Sequence, residues 1–152
     1  DHLGPTARLE SAKLLRTKAV ETAGEQPVVV VGDFNCTPSS PPYLWMVGKE
    51  PPPPEPAASG EVAPVQVVPD KSAPPAKDAL ADAMLHSRHP HHGPTTTWNG
   101  FKALAPGRKI DHIFVRGPIS VEQHAILADH WDGRFPSDHL PVLVEIVLSK
   151  SE

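Results

Sequence analysis

Val28-Val29-Val30-Val31-Gly32-Asp33-Phe34-Asn35 is the stretch of sequence that decides the fold. Its consecutive valines are β-branched and do not alternate with polar residues, which predicts a strand buried on both faces. Polar residues follow directly at the carboxyl end of this strand, where protein scaffolds present reactive groups on loops. The stretch therefore predicts a buried strand with candidate functional side chains, Asp33 and Asn35, at its end.

Helical and strand-like patterns lie on both sides of this strand. Pro5 to Ala23 shows apolar residues at three- and four-residue spacing, with Pro5 suited to the first turn and Gly24 to the C-terminal stop. Two short helices are expected, one from about Pro41 to Val47 with Ser39 or Ser40 as its N-cap and one over Asp78–His86. Strands are expected at Thr95–Trp98, Lys109–Val115, Ser120–Leu127 and Leu140–Leu148. Because no helix separates the later strands, they are predicted to be antiparallel neighbours in a layered α/β arrangement.

The composition is that of one domain interrupted by a proline-rich stretch. The chain has 152 residues, and nine of its 20 prolines cluster between Pro51 and Pro75. Proline removes backbone donors and fixes φ, so residues 48–77 are predicted to form a solvated loop or insertion. A ligand for an SH3-type groove is the alternative interpretation of this stretch, and an inert linker is the preferred one.

Charge and hydropathy exclude several classes of protein. The formal net charge is −4 with both signs interspersed, so there is no basic stripe for sequence-independent binding of nucleic acid. The longest apolar runs are strand-sized, which predicts no membrane span. Cys36 is the only cysteine, so an internal disulfide is impossible.

Three short polar clusters lie at the ends of predicted strands: Gly32-Asp33-Phe34-Asn35, Lys109-Ile110-Asp111-His112 and Ser137-Asp138-His139-Leu140-Pro141. Taken singly, each allows an ordinary explanation: a turn, a salt bridge from Asp111 to Arg108 or Lys109, or a partly buried His139. Taken together and in this order, they favour catalysis. Asp111 is suited to orienting the imidazole of His139 through one ring nitrogen, which leaves the other for proton transfer.

Residues 86–92 contain four histidines, a residue type that commonly binds zinc. Their spacing is irregular and Pro90 interrupts them, so a flexible, solvated loop is the preferred interpretation over a zinc site.

The three clusters together resemble the second half of an endonuclease/exonuclease/phosphatase domain. This resemblance implies a four-layered α-β-β-α sandwich of the DNase type, present here as its C-terminal half, in a single partial domain over residues 1–152 with the proline-rich insertion at about 48–77. It implies hydrolysis of phosphate esters assisted by Mg²⁺ or Mn²⁺. A phosphodiester or nucleic acid is the first expected substrate class, and phosphomonoesters or sphingomyelin are the next.

The resemblance also implies roles for individual residues. Asp33 would orient or deprotonate the attacking water, and Asn35 would donate a hydrogen bond to the phosphate. Asp138 would be a metal ligand, while His139 would contact the phosphate with Asp111 holding its ring. Trp98 and Arg134 are expected to contact the substrate.

The first half of the family's domain, with its main metal ligand, does not match any part of this sequence. We therefore expect either a homodimer or a missing N-terminal half to complete the fold. The competing hypothesis is a truncated, non-catalytic binding module of the same fold.

Overall fold

The computed structural model describes residues 4–49 and 78–149. Its elements are α1 (Pro5–Ala23), β1 (Val28–Asp33), α2 (Pro41–Met46), β2 (Ala81–Asp82), α3 (Ala83–His86), β3 (Asp111–Arg116), β4 (Ile119–Ile126) and β5 (Val142–Leu148). Most of the predicted proline-rich loop, residues 50–77, lies outside the described residues. Within the described residues, no helix is both long and apolar enough to cross a bilayer.

The predicted helix boundaries are confirmed for the first two helices. Pro5 occupies the first turn of α1, and Gly24 ends the helix with φ +55°, a conformation that glycine adopts without steric cost. Ser40 is the N-cap residue of α2, as expected. The helix predicted over Asp78–His86 is mostly wrong, since only its last four residues are helical and Ala81–Asp82 pairs with β3 instead.

The strands form two sheets, of order β1-β3-β2 and β4-β5, with every pair antiparallel. Three of the predicted strands, Lys109–Val115, Ser120–Leu127 and Leu140–Leu148, are therefore not all neighbours as expected. The prediction is wrong for the first of them, which lies in a different sheet from the other two. The chain leaves β3 at Arg116 and passes through Gly117 and Pro118 into β4 of the other sheet. The predicted strand at Thr95–Trp98 is also absent, and only Trp98 makes a single bridge, to His139.

Strand β3 is covered on both faces because successive side chains of a strand point in opposite directions. Phe114 packs with Tyr43 and Met46 of α2 and with Ala12 of α1. Ile113 and Val115 face the other way and pack against Val121 of β4 and the apolar residues of β5. Helices, first sheet and second sheet are thus successive layers, which agrees with the predicted α/β class and its antiparallel sheets.

Strand β1 is not buried on both faces, in contrast to the prediction. Val30 packs towards the helices, but Val29 is 43% exposed and Val31 is 65% exposed. These two valines lie opposite Val115 and Ile113, so they belong to the face that turns towards β4 and β5. The two-stranded second sheet covers β3 on that face but leaves β1 open.

The histidine-rich segment is paired with β4, which corrects the prediction of a flexible loop. The backbone N–H groups of Arg88 and His92 donate to the carbonyls of Val121 and His124 at 3.0 and 3.1 Å. Ile126 N–H donates back to His92 at 3.0 Å. The segment therefore acts as a partial third strand along the edge of β4.

Candidate active site

Asp33 and Asp111 lie directly opposite each other where β1 ends and β3 begins. Opposite residues of an antiparallel pair project from the same face of the sheet. Both carboxylates therefore lie at the end of the first sheet, on the face that turns towards the second sheet. The strand pairing brings together two carboxylates that are far apart in sequence.

The loop after β1 joins Asp33 and Asn35 into one unit. Phe34 N–H continues the pairing with the carbonyl of Ile110 at 2.9 Å. Asn35 then adopts φ +48°, a region that asparagine enters more readily than most residues. Its backbone N–H donates to Asp33 Oδ1 at 2.8 Å, and its side-chain Nδ2 donates to Asp33 Oδ2 at 3.0 Å. These bonds fix the carboxylate and the amide relative to each other.

His139 is held by Asp111 through a hydrogen bond of 2.9 Å between Nδ1 and Oδ2. Because an ionised carboxylate can only accept, Nδ1 carries a proton and Nε2 is left for a second partner. Partial burial alone would lower the pKa of His139. The hydrogen bond and negative charge of Asp111, together with the charges of Asp33 and Asp138, outweigh burial and raise that pKa above its ordinary value.

Thr97 connects the two halves of this site, and the sequence reasoning missed it. Its fully buried hydroxyl oxygen accepts hydrogen bonds from the backbone N–H groups of Ile110 (2.9 Å) and Asp111 (3.1 Å). Its carbonyl accepts from Leu140 N–H at 2.7 Å, one residue after His139. Thr97 thereby fixes the separation between Asp111 and the segment that carries His139.

Asn99 is a second buried residue that the sequence reasoning missed. Its backbone N–H donates to the carbonyl of Asp138 at 2.8 Å, and its Nδ2 donates to the carbonyl of Ser137 at 3.0 Å. The only sequence signal for Thr97 and Asn99 was their position on either side of Trp98 in a polar run.

Asp138 is placed beside His139, but its predicted role as a metal ligand stays a prediction. In residues 4–49 and 78–149 there is no group of three or more His, Cys, Asp or Glu side chains that could hold a metal ion. The described part of the chain therefore does not form a complete cation site.

Of the two predicted substrate contacts, Trp98 is placed at the candidate site and Arg134 is not bonded to it in the described part of the chain. Trp98 lies at the site because its backbone forms a β-bridge with His139. The guanidinium carbon of Arg108 lies over the Trp98 ring, 4.7 Å from its centre. Arg134 lies in an exposed turn whose backbone bonds pair it with Trp131 at 2.8 and 3.0 Å. Within the described residues, no hydrogen bond or ion pair connects the Arg134 side chain to the site.

Residues 6–139 match the Endonuclease/Exonuclease/phosphatase family. The chain belongs to this family. The match covers all three polar clusters up to His139, so the resemblance inferred from those clusters is confirmed. No curated protein matches the sequence.

Three solved structures share the fold of this chain. A protein of this family from Bacteroides vulgatus is 28% identical with a TM-score of 0.73, and the match covers 98% of this chain and 47% of that one. A mannosyl-6-phosphatase from Bacteroides thetaiotaomicron is 26% identical with a TM-score of 0.67, covering 97% of this chain and 48% of that one. A functionally unknown conserved protein from Enterococcus faecalis is 24% identical with a TM-score of 0.69, with coverage of 98% and 47%. The chain spans about half the length of each.

Proposed function

We propose that this chain carries the water-activating and phosphate-binding part of a phosphoesterase active site. One observation carries the proposal: the hydrogen-bonded pair of His139 and Asp111 lies beside the hydrogen-bonded pair of Asp33 and Asn35. Membership of the family and the resemblance to a mannosyl-6-phosphatase support the same reaction class.

Asp33 is the residue that we assign to the attacking water. Each of its oxygens accepts one hydrogen bond from Asn35, and a carboxylate oxygen has a further lone pair for a water molecule. Asp33 is exposed at the end of β1, so water reaches it. Fixed in this way, the carboxylate orients the water and accepts its proton as the new P–O bond forms.

Asn35 and His139 are the groups that we assign to the phosphate. Asn35 Nδ2 has a second hydrogen that is not used by Asp33 and can be donated to a phosphoryl oxygen. With Nδ1–H held by Asp111, protonated His139 offers Nε2–H to a phosphoryl or leaving-group oxygen. Preorganised donors of this kind stabilise the charge that develops in the transition state.

Mg²⁺ or Mn²⁺ is the cofactor we propose, in line with the common use of divalent metals in this family. Asp138 is the candidate ligand on this chain, since hard cations prefer carboxylate oxygens. The remaining ligands would have to come from outside the described residues.

Two substrate classes remain in the proposal. The sequence motifs favour a phosphodiester, with nucleic acid as the first candidate. The similar mannosyl-6-phosphatase favours a phosphomonoester such as a sugar phosphate, and the absence of a basic stripe agrees with a small substrate. A sphingomyelinase-type activity has no further support.

The open face of β1 supports the expectation that another polypeptide segment completes the fold. Val29 and Val31 are exposed on a face that is otherwise packed between two sheets. The chain spans about half of the similar structures, so a segment like their remaining half is the partner we propose, and a second copy of this chain is the alternative. If neither restores hydrolysis, the chain is a non-catalytic module.

Hydrolysis of bis-p-nitrophenyl phosphate and of p-nitrophenyl phosphate, with and without Mg²⁺ or Mn²⁺, tests the proposal. We expect turnover that is lost in His139→Ala and kept in His130→Ala, a matched removal of an exposed histidine that is not among the proposed catalytic groups. The substrate that is cleaved faster separates diesterase from monoesterase. No turnover of either ester, in folded protein supplied with a similar N-terminal half, would contradict the proposal and favour the binding module.

A further inference from the structure

A buried charged network lies behind the candidate site, on the helix side of the first sheet. Asp82, Lys109 and His112 are 2%, 4% and 1% exposed. Lys109 Nζ donates to Asp82 Oδ2 at 3.3 Å and to His112 Nδ1 at 2.7 Å. Tyr43 Oη also donates to Asp82 Oδ2, at 2.9 Å. None of these residues belongs to the proposed catalytic groups.

The bond from Lys109 determines which nitrogen of His112 carries the proton. An ammonium group can only donate, so His112 Nδ1 accepts and the neutral ring carries its proton on Nε2. That Nε2–H donates to the backbone carbonyl of Cys36 at 2.9 Å. The bonds on the two sides of the ring thus favour the same tautomer.

Asp82 favours the charged, donating form of the lysine. Burial lowers the pKa of Lys109 below its ordinary value, and the negative charge and hydrogen bond of Asp82 offset part of that change. For Asp82 itself, burial favours the neutral acid, but the interaction with His112, whose Nδ1 lies 3.6 Å from Oδ2, and the charge of Lys109 outweigh burial and hold the pKa well below its ordinary value. The carboxylate also accepts from Met84 N–H at 2.9 Å, which fixes its orientation at the start of α3.

The carbonyl of Cys36 is the point where this network reaches the site. Cys36 directly follows Asn35, whose left-handed backbone conformation and bonds to Asp33 define the catalytic loop. The loop is hydrogen-bonded to the β3 segment on both sides of Asn35. Before Asn35, Phe34 N–H donates to the carbonyl of Ile110, and after it the carbonyl of Cys36 accepts from His112. Asp111 and His112 are consecutive on β3 and face opposite ways, so one strand holds His139 on one face and the Asn35 loop on the other.

We propose that His112 is a positioning residue for Asp33 and Asn35, and that Asp82 and Lys109 act through it by locking its ring in the Nε2–H tautomer. The inference deepens the proposed phosphoesterase function and rests on it. A buried ion pair is weak evidence for a purely stabilising role, because apolar replacement of such a pair is often neutral or stabilising.

Two substitutions of His112 and one control separate positioning from packing. His112→Phe keeps an aromatic ring among Phe34, Tyr43 and Phe114, which all contact the imidazole, but removes both hydrogen bonds. His112→Gln restores them, since the amide oxygen and nitrogen flank one carbon as the two ring nitrogens do. Tyr43→Phe removes a bond to Asp82 and leaves the link to Cys36 intact.

The first readout needs no activity. ¹⁵N NMR of the wild-type imidazole should show His112 with a protonated Nε2 and an unprotonated Nδ1. In His112→Phe the Asn35 side-chain amide signals should shift and lose protection, while His112→Gln and Tyr43→Phe should keep them near the wild-type positions. A protonated Nδ1 in the wild type overturns the inference even if His112→Phe fails to fold, and so do unchanged Asn35 signals in a folded His112→Phe variant.

The second readout is steady-state hydrolysis. Residues that orient metal ligands from behind typically contribute about 10- to 100-fold in activity, and we expect the same range for a residue that orients Asp33 and Asn35. We expect His112→Phe to lower kcat by about that factor with little change in KM, and we expect His112→Gln and Tyr43→Phe to stay within about threefold of wild type. If Tyr43→Phe lowered kcat as much as His112→Phe does, the network would have only a structural role. The expected NMR result without turnover in any variant would support positioning and contradict the phosphoesterase proposal.

Discussion

Replacement of Thr97 by valine tests how the site is assembled, because valine keeps the shape of threonine and removes only the hydroxyl. That hydroxyl oxygen accepts hydrogen bonds from Ile110 N–H and Asp111 N–H, and Thr97 is fully buried. Each orphaned buried donor costs about 1–3 kcal/mol. Since Asp111 is only half-buried and can recover a water, we expect a total loss of about 2–4 kcal/mol in the free energy of unfolding.

Urea unfolding of three variants isolates this contribution. Thr97→Ser keeps the hydroxyl and loses one buried methyl, which is worth about 1 kcal/mol. Thr96→Val removes a single donor to the carbonyl of Ala105, a hydrogen bond of 2.6 Å, with an expected loss of about 1 kcal/mol. Thr97→Val should therefore be the least stable of the three. If its midpoint and slope matched those of Thr96→Val, the assignment of Thr97 as the link between Asp111 and His139 would be refuted.

Three further predictions concern pH, backbone space and the open sheet. Burial, with the positive charge of Lys109 and the neighbouring His91, lowers the pKa of His124 to about 4. The folded state therefore binds fewer protons than the unfolded state between pH 4 and the ordinary histidine value of about 6.5. Stability should fall by up to about 3 kcal/mol as pH drops through that window, and His124→Gln should remove this dependence in urea titrations. Gly93→Ala should be far more destabilising than Gly107→Ala in thermal melts. Both glycines have positive φ, but a Cβ at Gly93 would lie 2.0 Å from the backbone oxygen of Ile126, whereas a Cβ at Gly107 would meet open space. A dilute sample should bind an apolar dye or run as a dimer on a sizing column, and Val31→Thr should weaken either behaviour; a dye-free monomer would contradict an open apolar face.

Local signals made some elements predictable from the sequence. α1 was predicted with its observed bounds because Pro5 and Gly24 mark its ends by their own backbone preferences. Strand β5 is predictable because four of its seven residues are β-branched, a composition that forms strands in many contexts. The convergence of Asp111 and His139 followed from the order of the motifs, and the bond of 2.9 Å between them agrees with that expectation.

The features that were missed depend on contacts between distant segments. The turn at Gly117 and Pro118 looks like a hairpin in sequence, and only packing sends β4 into a different sheet from β3. Val31 has the side chain of a buried strand, yet its exposure is set by which strands cover β1. The hydroxyl of Thr97 bonds to backbone groups 13 and 14 residues away, and such a bond leaves no periodic trace in the sequence.

A double-substitution cycle on phosphoester hydrolysis tests the central claim most directly, namely that Asp33 and His139 act on one phosphate. Wild type, Asp33→Asn, His139→Ala and the double variant would be compared by kcat/KM on the ester that is cleaved fastest. We predict that each single substitution lowers kcat/KM by about a hundredfold or more. The double variant should be little less active than the less active single variant, because the effects of groups that act as a unit do not add. Losses that simply multiply, or a wild-type rate in Asp33→Asn, would contradict the account.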